Sequence, residues 1–124
     1  MLHVRAVRDS GGTVINAYNV GTISTVTTEG IYTERGDEQG LLFVLAGGSI
    51  TSVTRQVSID NTNFYNAFDE GNSNLSTLVT AISNSRLIIL GGTNSANTFS
   101  PYTRFTFVGT GSITTLTLYY LQKE

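Results

Sequence analysis

Cysteine and tryptophan are absent from this 124-residue chain, and proline and methionine occur once each. Without cysteine there is no disulfide framework and no thiolate for catalysis or metal binding. That absence is neutral on compartment. Lysine is nearly missing too. Lys123 joins six scattered arginines, charged residues make up 13%, and the formal net charge is -2. The basic stripe that tracks a nucleic acid is lacking, so no nucleic-acid partner is expected. The single histidine is His3. A Ser-His-acid triad would have to be assembled around it, and no enzymatic activity is expected. No apolar run approaches the roughly 18 residues of a membrane span. The longest, LLFVLA and LIIL, are strand-sized. The opening MLHVRAVRDSGG lacks the continuous apolar segment of a signal peptide, so neither a leader nor a membrane association is expected.

What is abundant is small and polar. Threonine (19), serine (12), asparagine (10) and glycine (13) together supply 54 of the residues. Threonine suits a pleated strand because its side chain branches at Cβ. Glycine and asparagine supply positive-φ turns. Good helix formers are scarce. A surface so poor in charge is expected to lie partly against other protein. The length is that of one domain, 1–124, with one core.

About eight strands separated by turn-rich spacers are predicted. LHVRAVR (2–8) alternates Leu2, Val4 and Ala6 against His3 and Arg5, with one face wet. Ser10-Gly11-Gly12 breaks it. TVINAYNV (13–20) places Val14, Tyr18 and Val20 on one side, interrupted by Asn16. TISTVTT (22–28) has a weak pattern. GIYTERGDEQG (30–40) is the most charged stretch and reads as an exposed loop. LLFVLA (41–46), apolar on both faces, reads as a central strand, ended by Gly47-Gly48. SVTRQVSI (52–59) points Val53, Val57 and Ile59 inward, and Arg55 falls on that apolar side. LVTAI (78–82) and RLIIL (86–90) flank Ser83-Asn84-Ser85 as in a hairpin. Leu75, Leu78, Val79 and Ile82 also have helical spacing, but the Thr- and Ser-rich composition favours strand over a short helix. YTRFTFV (102–108) points Phe105 and Phe107 one way. Gly109-Thr110-Gly111 reads as a hairpin turn into SITTLTLYYL (112–121), with Leu116, Leu118 and Tyr120 inward. Short strands with turns every 8–12 residues predict an all-β, two-sheet antiparallel sandwich of jelly-roll type.

Candidate chemistry is sparse. From Asp60 the spacing fails as a calcium loop, since Phe64, Tyr65 and Gly71 stand at positions 5, 6 and 12. A turn fits better. Asp60 would bond its own backbone two residues on, Asn61 would take a left-handed conformation, and Phe64 would return beneath the sheets. Glu34, Asp37, Glu38, Asp69 and Glu70 fall in loops and read as solvated charges. GTGS (109–112) joins two strands and has neither a following helix nor the lysine of a phosphate loop. Tyr18, Tyr32, Tyr65, Tyr102, Tyr119 and Tyr120 could stack on sugar rings, or serve an interface, where tyrosine is enriched. Tyr119 and Tyr120 are adjacent, so one must face outward. No catalytic residue, metal ligand or cofactor is assigned.

Three stretches, SVTRQVSIDNTNFYNAF, LVTAISNSRLIIL and PYTRFTFVGTGSITTLTLYYLQKE, resemble a small β-sandwich module of tailed-bacteriophage virion proteins. In such modules a strand ends in Ser-x-Asp-Gly, then one or two residues, then an aromatic. Here Ser58-Ile59-Asp60-Asn61-Thr62-Asn63-Phe64 has Asn61 at the glycine position. A later strand carries aromatic-x-Arg-aromatic, here Tyr102-Thr103-Arg104-Phe105. A Gly-Thr-Gly turn and a Thr-rich final strand follow. The resemblance spans roughly residues 41–121. It implies a non-enzymatic virion component assembled in the host cytoplasm: a capsid decoration or cement protein, or else a tail, neck or fibre part. The implied partners are a major capsid protein or other virion proteins, and further copies of the chain as a homo-oligomer. Related sandwiches bind carbohydrate, so a glycan is the alternative ligand. The expected contact elements are the N-terminal strand and the 30–40 loop, through His3, Arg5, Arg8, Tyr32, Glu34, Arg35 and Asp37.

Overall fold

The computed structural model describes residues 2–21, 24–33, 38–68, 70–79, 81–90 and 101–123. Along the chain these form β1 (Leu2–Ala6), α1 (Ala17–Val20), β2 (Ser24–Thr27), β3 (Ile31–Tyr32), β4 (Glu38–Ala46) and β5 (Ser49–Ser58). Then come β6 (Tyr65–Asn66), β7 (Thr77–Val79), β8 (Arg86–Leu90), β9 (Tyr102–Thr110) and β10 (Thr115–Lys123). One sheet has the order β1-β10-β4-β8. The other has β2-β9-β5-β6, with β3 also on β9 and β7 also on β5. All pairings between these strands are antiparallel. First and last strands lie side by side, and successive strands repeatedly change sheet. This is the order of a jelly roll, as the strand pattern predicts.

The core follows from period two. Along β9 and β10 the inward residues Thr103, Phe105, Phe107, Leu116, Leu118 and Tyr120 are buried, and each is followed by a more exposed neighbour. Phe43 meets Phe107 edge-on at 5.6 Å, and Phe105 tilts against Tyr120 at 6.5 Å. These contacts join β9 to β4 and β10 across the two sheets. Leu41, Ile50, Val53, Ile82 and Ile88 fill the space around them.

Several local expectations are corrected. Residues 17–20 form one helical turn rather than a strand. The Val20 and Gly21 amides donate to Asn16 and Ala17 carbonyls, and Gly21 ends the turn at φ 57. Tyr18 is consequently 93% exposed, while Ile15 and Val20 are buried. The expected hairpins around 83–85 and 109–111 are not hairpins: β7 and β8 lie in different sheets, as do β9 and β10. Ser85 instead caps β4, accepting from the Leu45 amide at 3.0 Å. Strand is the observed state at 77–79, and Ile82 bridges to Ile50. Strand β4 starts at Glu38, so the 30–40 stretch is shorter as a loop than expected. Ile59 lies past the end of β5 and is exposed rather than inward.

At Gly47-Gly48 both residues have positive φ, and the chain crosses there from one sheet to the other. A side chain on Gly48 would run into the Thr110 carbonyl and Ile113. Only glycine allows this close approach of two inter-sheet connections.

Candidate interaction surface

The Asp60 loop is a self-contained turn. Asp60 Oδ1 accepts from the Thr62 and Asn63 amides, each at 2.9 Å, and from Ser58 Oγ at 2.9 Å. Asn63 Nδ2 donates to Oδ2 at 3.0 Å, and Asn61 sits at φ 60. Bonds from the Asn63 amide, then the Thr62 amide, then the Asn63 and Ser58 side chains, hold the Asp60 carboxyl well below the usual carboxylate range. Four donors from its own loop thus occupy this carboxylate. Phe64 does not return between the sheets. It lies on the outer side of the second sheet, half-buried, with the Arg104 guanidinium 4.3 Å from its ring centre. Among the described residues no group of three or more His, Cys, Asp or Glu is placed to hold a metal ion.

Arg55 resolves into a buried polar cluster. It is 1% exposed, donates from Nε to Thr103 Oγ1 at 2.8 Å, and donates from Nη2 to Gln39 Oε1 at 3.4 Å. Burial lowers its pKa to about 10, with Tyr120 acting in the opposite direction. Burial likewise raises the Tyr120 phenol, opposed by Arg55 and Arg5. Gln39 Nε2 and the Tyr120 hydroxyl are buried and find no hydrogen-bond partner among the described residues. This cluster lies between the sheets.

The expected contact residues fall at separate places. His3 and Arg5 lie in β1 opposite Gln122 and Tyr120, on the side of the sheet that faces the core. The edge position leaves both exposed. Arg5 pairs with Glu29 at 2.8 Å. Arg8 donates to the Gly12 carbonyl at 2.9 Å within the 9–13 turn, and its own carbonyl accepts from the Glu29 amide. Arg5 and Arg8 are thereby brought to one strip around Glu29. Tyr32 is elsewhere, its ring 5.4 Å from that of Tyr102. Glu34, Arg35 and Asp37 lie outside the described residues.

The two outer faces of the sandwich differ in kind. On the β2-β9-β5-β6 sheet the outer side chains bond one another across strands. Arg104 Nε donates to Gln56 Oε1 at 2.8 Å, and Gln56 Nε2 donates to Asn66 Oδ1 at 3.2 Å. The Thr27 and Thr106 hydroxyls meet at 3.1 Å, and those of Ser49 and Thr110 at 2.8 Å. This is a polar ladder suited to water.

On the β1-β10-β4-β8 sheet, register aligns Val4, Leu121, Gly40 and Ile89 in one row, and Ala6, Tyr119, Leu42 and Leu87 in the next. Thr117 and Val44 continue it, and Leu2 stands at one corner. These residues alternate with the buried Leu41, Phe43, Ile88, Leu118 and Tyr120, so they face outward. Leu2 is 56%, Val4 55%, Leu87 48% and Ile89 75% exposed. The 2–8 stretch alternates as expected, but its apolar side faces out and its polar side faces the core edge.

Alternation within single strands does not reveal this face, because it cannot tell which of the two sides of a strand is covered. A signal existed in LLFVLA. A strand apolar on both faces needs cover on both, and a two-layer sandwich covers only one face of each sheet. No protein-family model matches the chain, and no curated protein matches it either.

Proposed function

We propose that this is a non-enzymatic structural protein that acts by protein–protein contact through the apolar outer face of its β1-β10-β4-β8 sheet. We place it in the virion of a tailed bacteriophage, as a decoration protein on the capsid. The observation that carries the contact reading is the difference between the two outer faces. One is a ladder of satisfied polar side chains; the other is two apolar rows in which Val4, Ala6, Leu87 and Ile89 are open to water. An apolar patch of several hundred Å² on a soluble chain marks a contact site. The fold is neutral here, since jelly rolls serve capsid and lectin domains alike. The virion setting rests on the motif resemblance at Ser58–Phe64, Tyr102–Phe105 and Gly109–Gly111.

Low charge supports a chain that spends its working life against protein. Repetition on a lattice would let individually modest contacts add up through multivalency. A tail, neck or fibre position would use the same face. The carbohydrate alternative would draw on exposed tyrosines, and these are dispersed: Tyr18 on α1, Tyr65 on β6, and Tyr32 packed against Tyr102.

Gradient-purified virions test the proposal. The chain should band with them in on the order of tens to hundreds of copies, as lattice repetition requires. A Val4→Glu/Ile89→Glu double variant should be lost from them. Absence of the wild-type chain from virions would overturn the setting. Full incorporation of the double variant would overturn the face.

A further inference from the structure

We infer that the occupant of the apolar face is a second copy of this chain, packed face to face about a two-fold axis. This rests on the reading that protein covers the face, and it names the partner. Three observations lead to it.

The first is composition. The rows Val4–Leu121–Gly40–Ile89 and Ala6–Tyr119–Leu42–Leu87 contain no charged residue. A two-fold axis brings each residue near its own equivalent, so a charge close to the axis would meet its like. These two rows carry no such repulsion, and the charged Lys123 and Glu38 stand in register with Leu2 beyond one end of them. Homodimer interfaces are also more apolar than transient ones between different proteins, which resemble the general surface.

The second is shape. The face is a four-stranded antiparallel sheet whose relief alternates small residues, Gly40 and Ala6, with large ones, Leu121, Ile89 and Tyr119. Gly40 lowers the row between Leu121 and Ile89, and the Leu87 Cδ1 lies beside it. Two sheets of this kind stack about 10 Å apart with their strands nearly aligned.

The third is area. The edge strands β1 and β8 bring five residues each and the central pair about seven each, which at about 4.8 Å between strands and about 3.3 Å per residue gives a footprint of roughly 380 Å². Two such footprints, with side-chain relief added, reach about 1,000 Å², the size that a specific interface must clear. A micromolar dimer is the expected strength, tightened where copies are held on a lattice.

Sedimentation equilibrium from about 1 to 100 µM tests this on the full chain, a range that brackets micromolar association. The wild-type mass should rise with concentration from near the 13.3 kDa monomer towards twice that value. Ile89→Glu, at a position open to water in the monomer, should weaken association by about a hundredfold or more, because it buries an unpaired charge. Val4→Glu should repeat that result from a different strand. Thr51→Glu, exposed on the other sheet, should leave the dimer intact.

The absence of cysteine makes a single introduced thiol a clean probe. Leu121→Cys lies in a central strand and should cross-link to its twin through a short bismaleimide that spans about 10 Å, the sheet-to-sheet distance. A dimer that survives Ile89→Glu and fails to cross-link at Leu121→Cys would overturn the inference in favour of pairing elsewhere, such as along the β1 edge. A strictly monomeric wild type that binds an apolar dye, with binding lost in Ile89→Glu, would overturn the second copy yet leave the protein-docking face standing. A monomer with no dye binding would remove both.

Discussion

Arg55→Met removes the only charged residue among the described buried ones. The sequence places Arg55 on the apolar side of β5, and the structure keeps it there. Its pKa falls from 12.5 to about 10, with burial as the leading cause. At about 1.4 kcal/mol per tenfold, holding the charge inside costs the fold about 3 kcal/mol. Against this stand two hydrogen bonds. Thr103 Oγ1 keeps a partner without Arg55, because it donates to the Gln56 carbonyl at 3.1 Å. Gln39 Oε1 loses its 3.4 Å contact, and an orphaned buried acceptor costs about 1–3 kcal/mol. Methionine fills much of the same volume with a flexible apolar chain. The balance is a variant about as stable as the wild type, or up to about 2 kcal/mol more stable, as found when buried charges yield to packed apolar groups. Adding Gln39→Leu removes the orphan and should raise stability further. Arg55→Ala, by contrast, leaves a cavity and should cost about 2–4 kcal/mol. Urea midpoints at pH 7, read at constant m-value, give these differences. A loss of more than about 2 kcal/mol in Arg55→Met would refute the reasoning, since it would mean that attraction to a partner outweighs the cost of burial.

Two further outcomes follow from the core and the Asp60 turn. Phe43→Ala removes a fully buried ring that meets Phe107 edge-on, and should lower stability by about 3–5 kcal/mol in the same urea assay. A loss below about 1 kcal/mol would mean that the two sheets do not depend on this contact. Asp60 is held as a carboxylate by its loop, so its folded pKa lies below the 3.8 of the unfolded chain. The stability it contributes is complete above the unfolded value and is lost as pH falls through the folded one, because the unfolded state then binds more protons. Stability of the wild type should therefore decline as the solution is acidified below about pH 4, and more steeply than that of Asp60→Asn. Parallel acid profiles for the two proteins would contradict the turn's assignment.

Alternation along single strands was legible without coordinates. Phe105 and Phe107, or Leu116, Leu118 and Tyr120, share a face because side chains alternate along any strand. The Asp60-Asn61 turn was legible too, since its hydrogen bonds stay within six residues. Composition pointed to an all-β sandwich because threonine, glycine and asparagine suit strands and turns more than helices. What stayed hidden were relations between strands. Ser83–Ser85 and Gly109–Gly111 look like hairpin turns locally, but the strands they join lie in opposite sheets. Nothing within either turn records that. Arg55 looked like a conflict until Thr103 and Gln39, 48 and 16 positions away, closed around it.

The sequence by itself determined which residues travel together on one side of a strand. Only the tertiary structure decided whether that side turns toward the core or toward water. Leu2, Val4 and Ala6 show the reason. Period two is a local property of the backbone, whereas inside and outside depend on which sheet comes to lie across the way. For β1 that sheet lies on the side of His3 and Arg5, and the apolar side is left facing out.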